Sequence, residues 1–150
     1  MAVDVSQLKE LREETGISLA DCKQALEEGG GDVGKAKQLL KEWGKKSASK
    51  REGRDVGEGR IEVYRHSTGK VGVMVDLRSE TDFVARGEDF SNLSHEIALQ
   101  IASMDPETVE ELLKQQYIKD SSMTMKDLVT EASAKLGENI VINKFIRFEI

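Results

Sequence analysis

The chain has 150 residues, of which 38% are hydrophobic and 33% are charged, and its formal net charge is -6. This balance is typical of one ordinary globular domain, or of a small domain tethered to a modest one, and it argues against salt-driven binding of nucleic acid. No apolar run approaches the roughly 20 residues that a membrane-spanning helix needs. A lone cysteine and a polar start without a signal-peptide pattern lead us to expect a cytoplasmic protein.

Residues 1–44 are predicted to form a module of three short helices. Apolar residues recur at helical spacing in three runs, Gly16 suits the end of the first helix, and Ser18 and Asp32 are typical N-caps for the next two. Cys22 falls on the apolar side of the second helix. We interpret it as a small buried filler, not a nucleophile or metal ligand, because no second cysteine and no histidine is near it in the sequence.

Residues 45–58 are predicted to be a flexible, locally basic linker. Lysine, arginine, glycine and serine dominate this segment without any apolar period. Contact with RNA is the alternative interpretation, but interspersed acidic residues dilute the positive charge. We therefore place the domain boundary here.

Residues 59–150 are predicted to form an α+β domain that starts with two strands. Ile61 and Val63 alternate with polar or bulky residues, and the segment from Val71 to Leu77 alternates in the same way after a turn. We interpret the two runs as an antiparallel hairpin with one apolar face.

Helices and a last strand complete the predicted domain. An amphipathic helix runs from Phe90 to Ile101, a second begins at Asp105 as N-cap, and a third begins at Thr124. The isoleucines and phenylalanines of residues 140–150 predict a final strand paired with the hairpin, which gives three antiparallel strands backed by helices.

The junction between the second strand and the next helix carries the sequence Ser-Glu-Thr-Asp-Phe-Val-Ala-Arg, residues 79–86. The pattern alone favours Thr81 as an N-cap, followed by Phe83 and Val84 as core residues. The alternative is an exposed Phe83 that anchors an interface, with Asp82 accepting hydrogen bonds from a partner's backbone amides. Periodicity does not choose between them.

The sequence contains no arrangement typical of catalysis. It lacks a P-loop, paired zinc ligands and a nucleophile-elbow sequence. Gly29–Gly31 follows a predicted helix and not a strand, so we interpret it as a helix break. His66 and His95 have no cysteine or orienting partner at a useful spacing. We expect no catalytic residues, no metal site and no cofactor, which leaves recognition as the function.

Three separate motifs, in order, resemble those of the bacterial elongation factor Ts family. They are Leu-Arg-Glu-Glu-Thr-Gly with Asp-Cys-Lys-Gln-Ala-Leu (11–16 and 21–26), Glu-Thr-Asp-Phe-Val-Ala (80–85) and Leu-Gly-Glu-Asn-Ile (136–140). The resemblance runs nearly from end to end. It implies a ubiquitin-associated-like N-terminal module that docks on a GTPase, followed by a core domain for exchange and dimerisation.

The resemblance also implies a function. Members of this family are guanine nucleotide exchange factors that promote GDP release from the translational GTPase EF-Tu and carry out no covalent chemistry. The implied docking residues are Arg12, Leu19, Ala20 and Lys23. The implied exchange wedge, which enters EF-Tu near its magnesium and phosphate site, consists of Thr81, Asp82, Phe83 and Val84.

The length of the chain leads to one further expectation. Only residues 105–122 separate the first core helix from the final helix and strand, so there is room for a single core subdomain. The resemblance implies that short members of the family can supply the second copy by pairing two chains, and we therefore expect a homodimer formed through the core domain. The alternative function is a ribosome- or RNA-associated accessory protein that uses the basic tract from Lys45 to Arg54.

Overall fold

The computed structural model describes residues 2–150, so Met1, the first residue of the predicted N-terminal module, lies outside it. The N-terminal part consists of three helices, α1 (Val5–Thr15), α2 (Leu19–Glu28) and α3 (Val33–Arg51). The rest consists of strands and helices in the order β1 (Glu58–Arg65), β2 (Val71–Ser79), α4 (Asp82–Ala85), α5 (Glu88–Met104), α6 (Val109–Lys114), β3 (Gln116–Tyr117), β4 (Asp120–Thr124), α7 (Met125–Leu136) and β5 (Val141–Glu149). The predicted α+β class is confirmed.

The three N-terminal helices share a small core of their own. Its buried members are Leu11, Cys22, Ala25, Leu26, Ala36 and Leu40. The side chains of Ser18 and Asp32 accept hydrogen bonds from the first turns of α2 and α3, as predicted for N-caps. Cys22 is fully buried in this core, which agrees with its interpretation as an apolar filler.

Helix α3 is longer than the sequence pattern indicated. The predicted linker, 45–58, is helical through Arg51, so the expectation of irregular structure is wrong for 45–51 and only 52–57 lie between regular elements. The extension is possible because this segment contains no proline or glycine, and it packs on α7, where Arg51 Nη1 donates to the carbonyl of Ser133 at 3.3 Å. The division of the chain into two domains stays a prediction.

The predicted three-stranded antiparallel sheet is present, with the strand order β1-β2-β5. Its inner face carries Val73, Val75 and Leu77 of the central strand, which are buried against helix α5. This packing forms the main core of the molecule and holds the end of β2 in a fixed position. The junction after Ser79 is therefore built on the most buried strand of the sheet.

The hairpin does not have the single apolar face that was predicted. Ile61 and Val63 point away from the core, on the outer face of the sheet, and both are exposed. Their polar neighbours face inward instead: Tyr64 packs against the core, and Glu62 accepts a hydrogen bond from the hydroxyl of Ser94 on α5 at 2.9 Å. The outer face consequently becomes apolar as well.

Strand β5 changes face part-way along its length. Ile142 is opposite Leu77 and is buried, whereas Asp76 is opposite Lys144, so one extra residue lies between these pairs. Such a β-bulge reverses the alternation of side chains. The predicted strand is confirmed, but Ile146 and Phe148 are exposed on the outer face instead of joining the core.

The segment after α5 also differs from its prediction. Asp105 is not an N-cap: it ends α5 with a positive φ of 47°, and Thr108 caps the next helix, accepting a hydrogen bond from the backbone of Glu111. A small hairpin of β3 and β4 follows, which the sequence pattern did not reveal. Gln100 of α5 holds it, because its side-chain oxygen accepts a hydrogen bond from the amide of Ile118 at 2.9 Å.

Candidate functional site

The candidate site is the junction at which β2 ends and the four-residue helix α4 begins. Thr81 is the N-cap of α4, and its hydroxyl accepts a hydrogen bond from the amide of Val84 at 3.3 Å. The predicted N-cap is therefore confirmed. Because β2 is buried and α4 is a single turn, the side chains at the start of α4 are presented at the edge of the core.

Phe83 lies on the solvent side of this junction, with 82% of its surface exposed. Val84 and Ala85, which follow it, are buried in the main core. The interpretation of Phe83 as a core ring is therefore wrong, and that of Val84 as a core residue is confirmed. The backbone of Phe83 is anchored because the next two residues are buried, while its ring stays accessible, which is the geometry that an interface anchor needs.

Asp82 is exposed beside this ring. One of its carboxylate oxygens lies 3.0 Å from Nε of Arg86, four residues later in the chain, and both side chains are largely in solvent. An exposed ion pair of this kind contributes little to stability. The carboxylate is therefore available to donors of a partner at small cost.

The backbone before Asp82 is held by the segment that follows α7. One carboxylate oxygen of Glu138 accepts hydrogen bonds from the amides of Glu80, at 3.1 Å, and Thr81, at 3.0 Å. The other oxygen accepts a hydrogen bond from the hydroxyl of Thr81, with 2.6 Å between the two oxygen atoms. In return, Glu80 accepts a hydrogen bond from the amide of Asn139 at 2.9 Å. Two segments more than fifty residues apart are thus joined by reciprocal hydrogen bonds.

A shallow groove runs beside the phenylalanine. It lies between α4, the start of α5 and the end of α7, and it is lined by Phe83, Val84, Arg86, Gly87, Glu88, Asp89 and Leu136. Its walls combine apolar and charged groups, as protein interfaces do. A partner that covered Phe83 would also contact this groove.

The four residues of the predicted docking surface lie in the N-terminal module, and all are exposed. Arg12 is in the last turn of α1, and Leu19, Ala20 and Lys23 are in the first half of α2. Leu19 is the large apolar member, and about half of its surface is exposed to a partner. The structure brings these residues to one end of the module, around the turn between α1 and α2.

The end of α7 connects this turn to the candidate site. The aliphatic chain of Lys135 lies against Gly16 in the turn between α1 and α2, and its ammonium group is 3.2 Å from Asp89 in the groove beside Phe83. Sequence reasoning missed Lys135 and Glu138 as site residues. The motif at 136–140 was a signal for Glu138, but pattern alone gave it no partner.

Two negative findings apply to residues 2–150. Within that range no group of three or more His, Cys, Asp or Glu side chains is arranged to hold a metal ion. None of the helices in the same range is long and apolar enough to span a membrane.

Comparison with known proteins identifies the family. The family model for elongation factor Ts matches residues 80–150. Elongation factor Ts of Leptospira biflexa is 41% identical to this chain, that of Coprothermobacter proteolyticus 42% and that of Herpetosiphon aurantiacus 37%. The alignments cover all of this chain and 98%, 99% and 98% of those relatives. Each runs over 195 positions against 150 residues here, so at least 45 positions are gaps in this chain. With this similarity over its whole length, the chain belongs to the elongation factor Ts family of translation elongation factors.

Proposed function

We propose that this protein is a guanine nucleotide exchange factor that promotes GDP release from EF-Tu in the cytoplasm, by binding alone and without covalent chemistry. Membership of the elongation factor Ts family supports the partner and the exchange role. The observation that carries the mechanism is the exposed ring of Phe83 beside the accessible carboxylate of Asp82. In this proposal Thr81, Asp82, Phe83 and Val84 form the exchange wedge: Asp82 and Phe83 enter EF-Tu near its magnesium and phosphate site, Thr81 caps the turn, and the buried Val84 anchors it in the core.

The wedge acts by thermodynamic linkage. A ligand that binds the nucleotide-free GTPase more tightly than the GDP-bound form lowers the affinity for GDP by the same free energy. A phenylalanine that passes from 82% exposed to fully covered buries roughly 160 Å², which corresponds to about 4 kcal/mol. Each 1.4 kcal/mol is about a tenfold change in an equilibrium constant, so a ring that is buried only in the nucleotide-free complex would weaken GDP binding up to about a thousandfold.

The N-terminal module supplies a second contact in this proposal. Arg12, Leu19, Ala20 and Lys23 dock on the GTPase domain while the wedge reaches its nucleotide site. Two contacts on one chain bind more tightly than either alone when both can be made together. The packing of Lys135 against the turn between α1 and α2 supports a fixed spacing between them.

The experiment is stopped-flow release of fluorescent GDP from EF-Tu. We expect strong acceleration by the wild type and about a thousandfold smaller acceleration by Phe83→Ala, because the loss of the ring removes most of that burial. Ile118→Ala is the matched control, since Ile118 is another exposed apolar residue, 43% exposed, in the small hairpin. A wild type that leaves GDP release unchanged would refute the exchange role. A fully active Phe83→Ala would refute the wedge.

We also propose that two chains pair through the outer face of the sheet. Val63, Met74 and Ile146 are neighbours across the three strands, and the adjacent row contains Phe148. With Ile61, these exposed side chains present about 500 Å² of apolar surface, at roughly 100 Å² each. A stable dimer buries about 800 Å² on each partner, so this patch would form most of such an interface.

In this proposal the outer face of the sheet is covered by a second copy of the chain. A patch that spans all three strands can pair with itself around a two-fold axis, as isologous dimers do. Sedimentation equilibrium of the free protein at micromolar concentration should give the mass of two chains. A monomer mass at every concentration would contradict the pairing and leave the exchange role untouched.

A further inference from the structure

Among the described residues near the wedge, the carboxylate of Glu138 accepts the largest number of hydrogen bonds. It takes three hydrogen bonds, from the amides of Glu80 and Thr81 and from the hydroxyl of Thr81. Hydrogen bonds to an ionised acceptor are stronger than those between neutral groups. All three converge on the two residues immediately before Asp82. Glu138 is thus placed to fix the direction in which the chain enters α4.

The hydroxyl of Thr81 carries this restraint into the wedge itself. It donates to Glu138 and at the same time accepts from the amide of Val84, so that it links the carboxylate to the first turn of α4. A second hydroxyl, that of Ser79, donates to the carbonyl of Thr81 at 3.0 Å. A helix of one turn has almost no stability of its own, so its orientation depends on such contacts.

Hydrogen bonds in the opposite direction, donated by the segment after α7, also join it to the rest of the core. Glu80 accepts from the amide of Asn139, and the side-chain amide of Asn139 donates to the carbonyl of Arg54 at 3.1 Å. The segment after α7 is itself fixed, because Gly137 ends that helix with a left-handed φ of 72° and the carbonyl of Glu138 accepts from the hydroxyl of Ser133 at 2.7 Å. The restraint on Thr81 therefore comes from a rigid part of the core.

We propose that Glu138 is a positioning residue for exchange: it holds Thr81 so that Asp82 and Phe83 are already in the orientation that enters the GTPase. The inference rests on the proposed exchange function, since it explains how the wedge is presented. Without Glu138 the turn before α4 samples several orientations, and the entropy of ordering it is then lost on binding. The effect is therefore on the presentation of the ring, whose own contacts with the partner are unchanged.

The first test measures the restraint directly, by amide hydrogen exchange in the free protein. In Glu138→Ala the amides of Glu80 and Thr81 should exchange about tenfold faster or more, because their acceptor is gone. The amide of Val75, in the middle of the sheet, should keep its protection. Unchanged exchange at Glu80 and Thr81 would overturn the proposal.

The second test measures GDP release from EF-Tu with three substitutions of the same residue. Glu138→Ala should lower the acceleration about tenfold or more. Glu138→Gln should restore most of it, because the glutamine carbonyl can accept both backbone amides and its NH2 group can donate to the hydroxyl oxygen of Thr81, so that this bond is kept in the reverse direction. Glu138→Asp keeps the charge but is one methylene too short, and it should resemble Glu138→Ala.

Controls separate this inference from a general loss of stability and from failure of the proposed function. Glu111→Ala removes a carboxylate that likewise accepts a backbone amide, that of Glu107 at 2.9 Å, at the start of α6, and it should leave GDP release unchanged. If Glu138→Ala also exposes Val75 to exchange, Glu138→Asp provides the comparison, and full activity in it would overturn the proposal. An inactive Phe83→Ala beside a fully active Glu138→Ala would refute the positioning role alone. If Phe83→Ala is as active as the wild type, the proposed wedge is refuted, and the positioning role of Glu138 is refuted with it.

Discussion

Replacement of Phe148 by alanine is the sharpest test of the paired sheet. The ring lies on the outer face near the end of β5, opposite Gly72 on the central strand, and it is 70% exposed in the single chain. A Cβ added at Gly72 would meet no other atom within 4 Å, so the space beside the ring is open. A side chain of the second copy can enter that space and cover the phenylalanine.

The magnitude follows from the exposed area. About 70% of a ring of roughly 200 Å² is 140 Å², and its burial corresponds to about 3.5 kcal/mol. A two-fold dimer buries the ring twice, so the upper limit is about 7 kcal/mol. Even a third of that raises the dissociation constant more than about thirtyfold. Since only the remaining part of the ring is buried in the single chain, the fold itself should lose no more than about 1.5 kcal/mol.

The assay is sedimentation velocity over a dilution series, with circular dichroism to verify the fold. We expect Phe148→Ala to dissociate at concentrations at which the wild type is still a dimer, while its spectrum is unchanged. Ile118→Ala, which truncates an exposed apolar side chain away from the sheet face, should dissociate like the wild type. The reasoning is refuted if the wild type dimerises and Phe148→Ala pairs equally well, because the interface then lies elsewhere.

Three predictions concern stability. Phe90→Ala should lower the free energy of unfolding by about 3–5 kcal/mol in urea denaturation, because this ring is fully buried in the main core; a loss below about 1 kcal/mol would contradict that. A hydrogen bond from Arg78 holds the pKa of Asp76 below its usual value, against the opposing effect of burial. The ionised Asp76 therefore contributes to the free energy of unfolding above about pH 4, and this contribution is lost as the pH falls further. In Asp76→Asn the free energy of unfolding should depend less on pH in this range, and an unchanged dependence would refute this. Gly137→Ala should cost about 1 kcal/mol in thermal unfolding, because φ is +72° and no steric clash adds to the strain; an unchanged melting temperature would contradict it.

Local features of this fold could be predicted from the sequence because local interactions determine them. The N-caps Ser18, Asp32 and Thr124 all accept the expected backbone hydrogen bonds, and Thr124 forms a full capping box with Asp127. In each case the side chain and the amide that it caps are three residues apart, so no knowledge of the tertiary fold is needed. The type of most elements followed from periodicity in the same way.

Features that depend on the rest of the molecule could not be predicted. Alternation shows that Ile61 and Val63 share a face of β1, but not that this face is the outer one, because the choice depends on Ser94 and the core that receive Glu62 and Tyr64. The exposure of Phe83 also depends on tertiary packing and could not be predicted from the local pattern. The Glu138 contact with Thr81 joins positions 57 residues apart, and no periodic pattern carries that information.

Helices α3 and α7 pack closely at Gly44. A Cβ placed on Gly44 would lie only 3.1 Å from the Cβ of Ala134, so the absence of a side chain lets the two helices approach closely. That contact lies one residue before Lys135, which touches the turn between α1 and α2. The same helix end therefore sets the distance between the proposed docking residues and the wedge.

Gly44→Leu should push the two helices apart and separate these two regions. Overpacking costs about 1–3 kcal/mol, and the gain in helix propensity offsets about 1 kcal/mol of it, so the protein should still fold. GDP release at low factor concentration should slow, because the two contacts no longer match the GTPase together. Ser49→Leu places the same side chain on the exposed side of α3 and is the control. If both variants exchange nucleotide at the same rate, a fixed spacing is not required, and the N-terminal module and the wedge act as independent contacts on the GTPase.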